Sequence, residues 1–272
     1  MPGLDRRHGR LFEEVAELYD RVRPSYPDEL FNDLAAMAGI GEGSSVLEVG
    51  CGTGQATAPL ALLGCSVTAV EPGSAMATLA RAKLAGLANV EVETSSFEEW
   101  DDRGRRFDGI VAASSWHWVD PTIGWARVHR LLRDGGSVSL LANVVVRRPG
   151  EVELYAATAD LHERFSPANP SFGHPPLEEE LRATKEGWGT IERIEDPGPL
   201  FERPTARFYP NLQWLDGNGV ADLLGSISIY RSLDPEVRSG LLDAIVERVR
   251  TAMGDRVPRR YLSVLRVGRR AM

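Results

Sequence analysis

Two short stretches of the sequence carry residue types that chemistry needs. The first is VLEVGCGTGQAT (46–57), in which glycines stand at positions 50, 52 and 54 between an apolar run and a helical one. Glycine permits φ > 0 in a tight turn and lets a ligand approach the backbone. The second is SSWHWVD (114–120), in which His117 lies between two tryptophans. The first stretch predicts a ligand-binding turn, and the second supplies an imidazole.

The spacing of the glycines argues against two common phosphate-binding loops. A dinucleotide fingerprint, G-x-G-x-x-G, needs a glycine where Gln55 or Thr57 stands. A P-loop closes with G-K-[ST], and this turn contains no lysine. A tight turn without a ligand remains the alternative interpretation.

An acidic residue ends the apolar run that follows the turn. Glu71, in AVEP, lies where a carboxylate can accept hydrogen bonds from both hydroxyls of a ribose. A solvated carboxylate at the end of a strand is the alternative. The glycine turn and Glu71 together are more specific than either one alone.

The elements that must position these residues alternate along the first half of the chain. Apolar β-branched runs predict strands, and helical spacing predicts the segments between them. The predicted strands are 45–49, 65–71, 89–94, 107–114 and 137–146. The predicted helices are 11–20, 28–38, 56–64, 74–86 and 121–133. Asp120 should cap the last helix, and Asp134-Gly135-Gly136 should end it. The alternation predicts an α/β, doubly wound, mostly parallel sheet with its ligand at the carboxyl ends of the strands.

The pattern weakens after residue 147. The predicted elements there are helices 151–165, 178–187, 211–225 and 234–253, a Pro-rich loop 166–176, one or two strands within 189–209, and a strand 259–267. We interpret this half as the end of the same sheet with an inserted helical cover. The predicted organisation is an N-terminal helical lid (1–40), a Rossmann-like core (41–147), a cover with the sixth strand (148–256) and a last strand (257–272).

Composition limits the classes of function. The chain has 272 residues, 43% of them hydrophobic, which is enough for one large domain or a domain with an appendage. The formal net charge of −8 argues against a nucleic-acid partner. No apolar run is long enough for a membrane span, and the first residues lack a signal-peptide pattern. Cys51 and Cys65 form no CxxC pair, so we expect a cytoplasmic protein. The histidines lack metal-ligand spacing, and no metal is expected.

The motifs resemble those of class I S-adenosylmethionine-dependent methyltransferases. The pattern E-x-G-x-G-x-G is present as Glu48, Gly50, Gly52 and Gly54, and Glu71 stands at the ribose-binding position. SSFEEW (95–100), FDGIVAASS and RLLRDGGSVSLL resemble the segments around the third, fourth and fifth strands. The resemblance covers about residues 10–146. YDRVRPSYP and WHWVD are most similar to the trans-aconitate methyltransferase branch. The resemblance implies a seven-stranded Rossmann-like sheet with an antiparallel last strand, for which 259–267 is the candidate.

The same resemblance implies S-adenosyl-L-methionine as cofactor and a set of residues around it. Gly50, Gly52, Gln55 and Thr57 would contact the methionine part, and Glu71 would hold the ribose. The full set of cofactor candidates is Tyr19, Arg23, Glu48, Gly50, Cys51, Gly52, Gly54, Gln55, Thr57, Glu71, Pro72, Met76, Ser96, Phe97 and Ser114. Met76 would pack near the adenine, and Ser96 and Phe97 would contact its edge.

The sequence says less about the residues that bind the methyl acceptor. Methyl transfer from a sulfonium is an in-line displacement to which proximity contributes most of the rate, and a general base is optional. His117, just past the fourth strand, is the candidate catalytic residue, with a pocket wall or a packed ring as alternatives. The substrate candidates are Tyr26, Trp116, His117, Ser228, Tyr230 and Arg231. For Tyr26 the alternative is ordinary docking of an N-terminal helix. For Ser228, Tyr230 and Arg231 the alternative is a solvated helix face.

The sequence therefore predicts a methyltransferase acting on a small-molecule acceptor by O- or C-methylation, as a monomer or homodimer. A methyltransferase-like enzyme with a non-methylating reaction keeps the same cofactor residues and remains an alternative. A non-catalytic cofactor-binding protein is disfavoured because the turn and the acid are both intact. A nucleic-acid methyltransferase is disfavoured because SSWHW stands where an N/D-P-P-Y box would follow the fourth strand.

Overall fold

Seven strands form one sheet in the computed structural model, which describes residues 16–151, 153–167, 174–184, 187–188 and 194–271. The strands are β1 Ser45–Val49, β2 Ser66–Glu71, β3 Val90–Thr94, β4 Phe107–Ala113, β5 Leu132–Val145, β6 Thr205–Leu215 and β7 Val257–Arg269. Their spatial order is β3-β2-β1-β4-β5-β7-β6. Strands β1 to β5 pair in parallel, and β7 is antiparallel to both β5 and β6. The predicted mostly parallel, doubly wound sheet with an antiparallel last strand is confirmed.

Eleven α-helices occur in the described ranges. They are α1 Ala16–Val22, α2 Asp28–Ala38, α3 Thr57–Leu62, α4 Ser74–Leu84, α5 Pro121–Leu131, α6 Leu154–Ala157, α7 Ala159–Phe165, α8 Glu178–Ala183, α9 Gly217–Gly225, α10 Ser228–Arg231 and α11 Pro235–Ala252. The predicted cap of α5 is confirmed, since the Asp120 carboxylate accepts from the Thr122 N–H at 2.9 Å. None of the helices in these ranges is both long and apolar enough to cross a membrane.

Several predicted boundaries are wrong in the second half of the chain. Residues 211–215 were expected to begin a helix, but NLQWL alternates with period two and pairs with β7 as part of β6. The helix begins only at Gly217, where the Asp216 carboxylate accepts from the Gly219 N–H at 2.7 Å. Residues 189–193, where a further strand was expected, lie outside the described residues.

Other helices are shorter than predicted. The helix expected over 151–165 is divided into α6 and α7 at Thr158, whose hydroxyl donates to the Leu154 carbonyl at 2.8 Å. The helix expected over 178–187 ends at Ala183, and the one over 121–133 ends at Leu131, before the predicted Asp134-Gly135-Gly136 stop. The first five residues of the helix predicted at 11–20 lie outside the described residues, and α1 continues to Val22.

Helices cover both faces of the sheet. On one face, α2 and α3 place Leu30, Leu34 and Leu60 against the strands. On the other, α5 places Trp125, Val128 and Leu131 against them. A separate apolar cluster joins α6, α7, α9, α10 and α11 and includes Val220, Leu224, Leu241 and Ile245. The inserted helices thus have a core of their own.

Strand length differs between the two halves of the sheet. Strands β1 to β4 have five to seven residues, whereas β5, β6 and β7 have fourteen, eleven and thirteen. Ala113, the last residue of β4, pairs with Leu141, and β5 continues for four more residues to Val145. The long strands therefore project past the edge at which β1 and β4 end.

Candidate active site

The glycine turn leaves β1 with three glycines at positive φ. The φ angles are 69° at Gly50, 56° at Gly52 and 87° at Gly54. A Cβ on Gly50 would lie 2.6 Å from the Ser115 Cβ, and one on Gly54 would lie 2.9 Å from a Leu84 methyl. A Cβ on Gly52 would meet no atom within 4 Å. Gly50 and Gly54 thus permit close packing within the protein, while Gly52 leaves open space beside the backbone.

Glu71 fixes this turn to the end of β2. One carboxylate oxygen accepts from the Gly52 N–H at 2.8 Å, and the other accepts from the Gly73 N–H at 2.9 Å. The side chain is buried. A carboxylate has about four acceptor positions, more than these two backbone hydrogen bonds use. Pro72 follows directly, and Met76 is buried in the first turn of α4.

Glu48 and Thr57 lie beneath the turn. Both are buried, and the Thr57 hydroxyl donates to the Glu48 carboxyl at 2.6 Å. Burial raises the pKa of Glu48 to about 8, against the lowering effect of the Thr57 hydrogen bond, and the charge on Glu71 raises it further. Glu48 is therefore protonated at neutral pH. The Cys51 side chain is also buried, which raises the pKa of its thiol, and Gln55 is half-buried.

Helix α1 joins the glycine turn to the inserted helices. The Asp20 carboxylate accepts from the Thr53 hydroxyl at 2.6 Å and forms an ion pair with Lys83 of α4. On the other side, Arg21 pairs with Asp222 of α9 at 3.1 Å. The Arg23 guanidinium donates to the Ser226 carbonyl at 3.1 Å and lies 4.8 Å from the centre of the Tyr19 ring.

The chain leaves β4 in an unusual backbone conformation. Ser114 has a φ of 53°, in the left-handed region that few non-glycine residues adopt. Its hydroxyl lies 2.8 Å from the Tyr26 hydroxyl, and the next residue, Ser115, donates its hydroxyl to the Val49 carbonyl. Such a conformation persists where the surroundings fix it, and it occurs often at functional sites.

The WHW segment forms a short 3-10 helix in which Trp116 and His117 have different surroundings. Trp116 is buried against Trp125, with ring centres 4.5 Å apart, and against Phe97 at 6.4 Å. The His117 ring lies 4.9 Å from the Trp118 ring. Burial lowers the pKa of His117 to about 4, and the positive charge of Arg23 lowers it further. His117 is therefore a neutral imidazole at neutral pH.

The predicted acceptor residues do not all lie together. Tyr26 and Ser114 are in contact, and Arg23 acts electrostatically on His117. Tyr230 instead belongs to the core of the inserted helices, where its hydroxyl lies 2.7 Å from Nε2 of His162. Ser228 and Arg231 are half-buried on α10. In the third-strand segment, the Ser96 hydroxyl is 3.3 Å from a Glu99 oxygen.

Sequence reasoning missed Asp20, Thr53 and Lys83, which hold α1 against the turn. Asp20 stands inside YDRVRPSYP, yet an aspartate on a short helix has no chemical signature until its partners are known. Sequence reasoning also missed Asn143, whose side-chain amide donates to the Pro24 carbonyl at 2.9 Å. Within the part of the chain that the structure describes, no group of three His, Cys, Asp or Glu side chains could hold a metal ion.

Fold and site together define a class of protein. A seven-stranded sheet in this order, with β7 antiparallel, a glycine turn after β1 and an acid at the end of β2, is the class I methyltransferase arrangement. The family model of the methyltransferase domain matches residues 46–136. Residues 46–136 therefore match a methyltransferase domain, and their motifs are similar to those of the class I S-adenosylmethionine-dependent methyltransferases.

Relatives extend the similarity at the level of sequence. An uncharacterized methyltransferase of Mycobacterium tuberculosis is 36% identical over 141 residues, which are 52% of this chain and 55% of that protein. A ubiquinone biosynthesis O-methyltransferase of Methylocella silvestris is 33% identical over 98 residues, 35% of this chain and 38% of that protein. The chain thus spans about half, or less, of the length of these curated relatives. The similarity to the trans-aconitate branch stays a prediction.

Solved structures share the fold. A protein from Anaeromyxobacter dehalogenans that is assigned as a type II methyltransferase has a TM-score of 0.63 at 24% identity, covering 91% of this chain and 97% of that one. The [4+2]-cyclase SpnF has a TM-score of 0.53 at 17% identity, covering 99% and 97%. At these identities the likeness shows the fold alone.

Proposed function

We propose that the protein transfers a methyl group from S-adenosylmethionine to a small-molecule acceptor by O- or C-methylation. The observation that carries the proposal is the glycine turn, in which Gly52 is open to a ligand and its N–H is held by the Glu71 carboxylate. A turn that only connected a strand to a helix would not need a buried acid at the end of the neighbouring strand.

The residues around the turn fit the parts of the cofactor. Gly52 and Gln55 would face the methionine part, Glu71 would accept from the ribose hydroxyls, and Met76 and Ser96 would border the adenine. The remaining candidates support that surface: Tyr19, Arg23, Glu48, Gly50, Cys51, Gly54, Thr57, Pro72, Phe97 and Ser114. The cofactor supplies an electrophilic methyl group on a sulfonium. A protonated Glu48 suits this site, because it places no second buried charge beside Glu71.

On the acceptor side, we infer that His117 orients the substrate and accepts a hydrogen bond. With a pKa of about 4, it is a weak base at neutral pH, and efficient general bases titrate near the working pH. This favours an acceptor that is already nucleophilic or easily ionised. Tyr26 and Ser114 lie on the same side and supply hydroxyls.

The position of helix α1 supports a small acceptor. Helix α1 bridges the glycine turn and α9, so it would cover the reacting groups and exclude water. We propose that residues 1–40 act as the lid and that the inserted helices within 148–256 form the remaining wall of the acceptor site. The formal charge of −8 makes a nucleic-acid substrate the poorer fit.

Calorimetry with S-adenosylhomocysteine tests the cofactor half of the proposal. We expect Glu71→Ala to weaken binding by about 100-fold, because two turn N–H groups and the ribose contact lose their acceptor. Glu91→Ala is the matched control, since Glu91 stands on the neighbouring strand β3 with an exposed side chain. Failure of the unaltered protein to bind S-adenosylmethionine and S-adenosylhomocysteine, or an unchanged affinity in Glu71→Ala, would reject the proposal.

A non-methylating reaction is the alternative that uses the same cofactor residues. The two are separated by incubating the protein with S-adenosylmethionine and candidate acceptors and measuring S-adenosylhomocysteine by mass spectrometry. Methyl transfer releases one S-adenosylhomocysteine for each methylated product. A converted acceptor without S-adenosylhomocysteine would instead support the alternative.

A further inference from the structure

Arg259 occupies an unusual position near the start of β7. Only 5% of the residue is exposed, although it carries a full charge. Alternate residues of a strand share a face, so Arg259, Tyr261 and Ser263 lie on the same side of β7. Ser263 pairs with Asn143 of β5, whose amide donates to the Pro24 carbonyl. Arg259 is therefore on the face that the 23–26 linker covers, about 13 Å further along the strand.

The partners of Arg259 are tyrosine side chains. One guanidinium nitrogen, Nη2, donates to the Tyr155 hydroxyl at 2.8 Å, and the group lies 5.0 Å and 5.7 Å from the Tyr155 and Tyr261 ring centres. Its Nε has no hydrogen-bond partner, and no carboxylate of the described chain forms an ion pair with it. The adjacent Arg260, on the opposite face, pairs with Glu151 at 2.6 Å.

A histidine–tyrosine pair completes these surroundings. Nδ1 of His162 lies 2.8 Å from the Thr158 carbonyl, which can only accept, so Nδ1 carries the proton. Nε2 of the same ring lies 2.7 Å from the Tyr230 hydroxyl. Burial raises the pKa of Tyr230, and nearby Tyr155 raises it further, against the lowering effect of the Arg259 charge. Tyr230 thus stays a phenol and supplies no negative charge.

A buried cation without a counter-charge is costly, and aromatic faces recover only part of this cost. An anionic ligand would supply the missing charge. The long strands β5 and β7 bring Arg259 to the edge at which Ser114 and His117 lie, past the end of β4. Arg259 thus lies at the same edge of the sheet as the glycine turn.

We propose that Arg259 binds an anionic group, a carboxylate or a phosphate, of the methyl acceptor, with Tyr155 and Tyr261 holding the guanidinium in place. The proposal rests on the proposed function in taking the ligand to be the acceptor. It defines that acceptor as a molecule whose acidic group stands several bonds from the atom that is methylated.

A structural role for Arg259 is the competing explanation. A cavity of about 20 Å³ is lined by Arg259, Glu153 and Leu154, and it has room for one water. One Glu153 oxygen is buried without a hydrogen-bond partner. A water between the two side chains would make Arg259 part of a buried ion pair. In that case Glu153→Gln and Arg259→Met would destabilise the protein equally.

The experiment measures anion binding by the protein saturated with S-adenosylhomocysteine, by calorimetry and thermal unfolding. The probes are benzoate, citrate and glycerol 3-phosphate, with benzamide and glycerol as neutral counterparts. We expect at least one anion, and neither neutral probe, to bind the unaltered protein and Arg260→Met. Arg259→Met should weaken that binding at least tenfold, and Arg259→Lys should lie between. The carboxylate and phosphate arms distinguish the two anions.

Stability provides the second readout. Without an anion, Arg259→Met should unfold at the same or a higher temperature, because it removes an unpaired buried charge. The proposal is overturned if no probe anion binds the unaltered protein, if Arg259→Met binds equally well, or if Arg259→Met and Glu153→Gln lose the same stability. If Arg259→Met does not fold, unchanged anion binding by Arg259→Lys overturns it, since lysine lacks the planar fork. Failure of the unaltered protein to bind S-adenosylhomocysteine would instead count against the proposed function.

Discussion

The two halves of the sheet use different parts of the chain for chemistry. In the short half, β1 to β4, the backbone acts: Gly50, Gly52 and Gly54 at positive φ shape the turn, and one carboxylate secures it. In the long half, β5 to β7, side chains act, including Asn143 and Arg259. The residues of the first group lie within about 20 positions of each other. Arg259 and Tyr155 are 104 positions apart.

This difference explains why the site residues of one half can be predicted from the sequence more easily than those of the other. A backbone-based site depends on glycine spacing, which the sequence displays directly. A site made of side chains on long strands depends on register and on inserted helices. In the function that we propose, the first type would bind the cofactor and the second would bind the acceptor, so a motif can identify the reaction class without identifying the substrate.

The largest predicted effect separates two glycines of the short half. Gly50→Ala should lower the free energy of unfolding by roughly 2–5 kcal/mol, because it adds a left-handed penalty to a clash with Ser115. Gly52→Ala meets no atom and should cost only about 1–2 kcal/mol, from the left-handed conformation alone. Urea denaturation of both variants measures the difference.

In a cofactor-binding assay the order of the two variants should be reversed, with the larger effect in Gly52→Ala than in Gly50→Ala. Since the open side of Gly52 is the proposed cofactor surface, Gly52→Ala should weaken S-adenosylhomocysteine binding by tenfold or more in calorimetry. If Gly52→Ala binds normally, the open space serves no ligand. If both variants lose equal stability, packing does not distinguish the two glycines.

The second prediction concerns His117 and pH. Its folded pKa of about 4 lies below the ordinary value of 6.5, so below pH 6.5 the unfolded chain binds a proton that the folded protein does not. The part of the free energy of unfolding that depends on His117 is fully present above pH 6.5. It is lost as the pH falls through 4, by roughly 3 kcal/mol in all. His117→Gln should remove this part of the pH dependence. The measurement is chemical denaturation of both proteins at pH 7, 5.5 and 4, and parallel curves would show that the imidazole is not desolvated.

What the sequence could predict follows the same division. Strand β1 was predicted with its observed bounds, and β2 to β4 within one residue at each end, because short apolar runs between glycines leave few alternatives. The cap at Asp120 was read from a local hydrogen-bonding pattern. In the long half, NLQWL was taken as helical, since its alternation is meaningful only beside β7.

Within the site, the residue types could be read from the sequence, but the residues that contact each other could not. Tyr230 was predicted as a substrate residue, with a solvated helix face as the alternative, but it is buried, with its hydroxyl 2.7 Å from Nε2 of His162, 68 positions away. Arg259 stood at the start of a predicted strand, where a charged residue normally marks the exposed end. Only the register and the position of Tyr155 show that it is buried. No local pattern carries that information.

The smallest predicted effect concerns helix α1, which joins the two halves. Asp20→Ala removes the partly buried hydrogen bond from Thr53 and the ion pair with Lys83, and should weaken docking of α1 on the glycine turn by about 1–2 kcal/mol. Arg21→Ala removes the exposed pair with Asp222 and should cost at most about 0.5 kcal/mol.

Hydrogen exchange of the α1 amides measures this docking directly. Asp20→Ala should speed exchange by roughly five- to thirtyfold, with little change in Arg21→Ala, because each 1.4 kcal/mol of local stability changes the open population about tenfold. Faster release of S-adenosylhomocysteine should accompany faster exchange if α1 covers the cofactor. Equal exchange in the two variants would mean that α1 is held by the inserted helices as firmly as by the turn. The lid would then belong to the long half of the molecule, and acceptor rather than cofactor binding should close it.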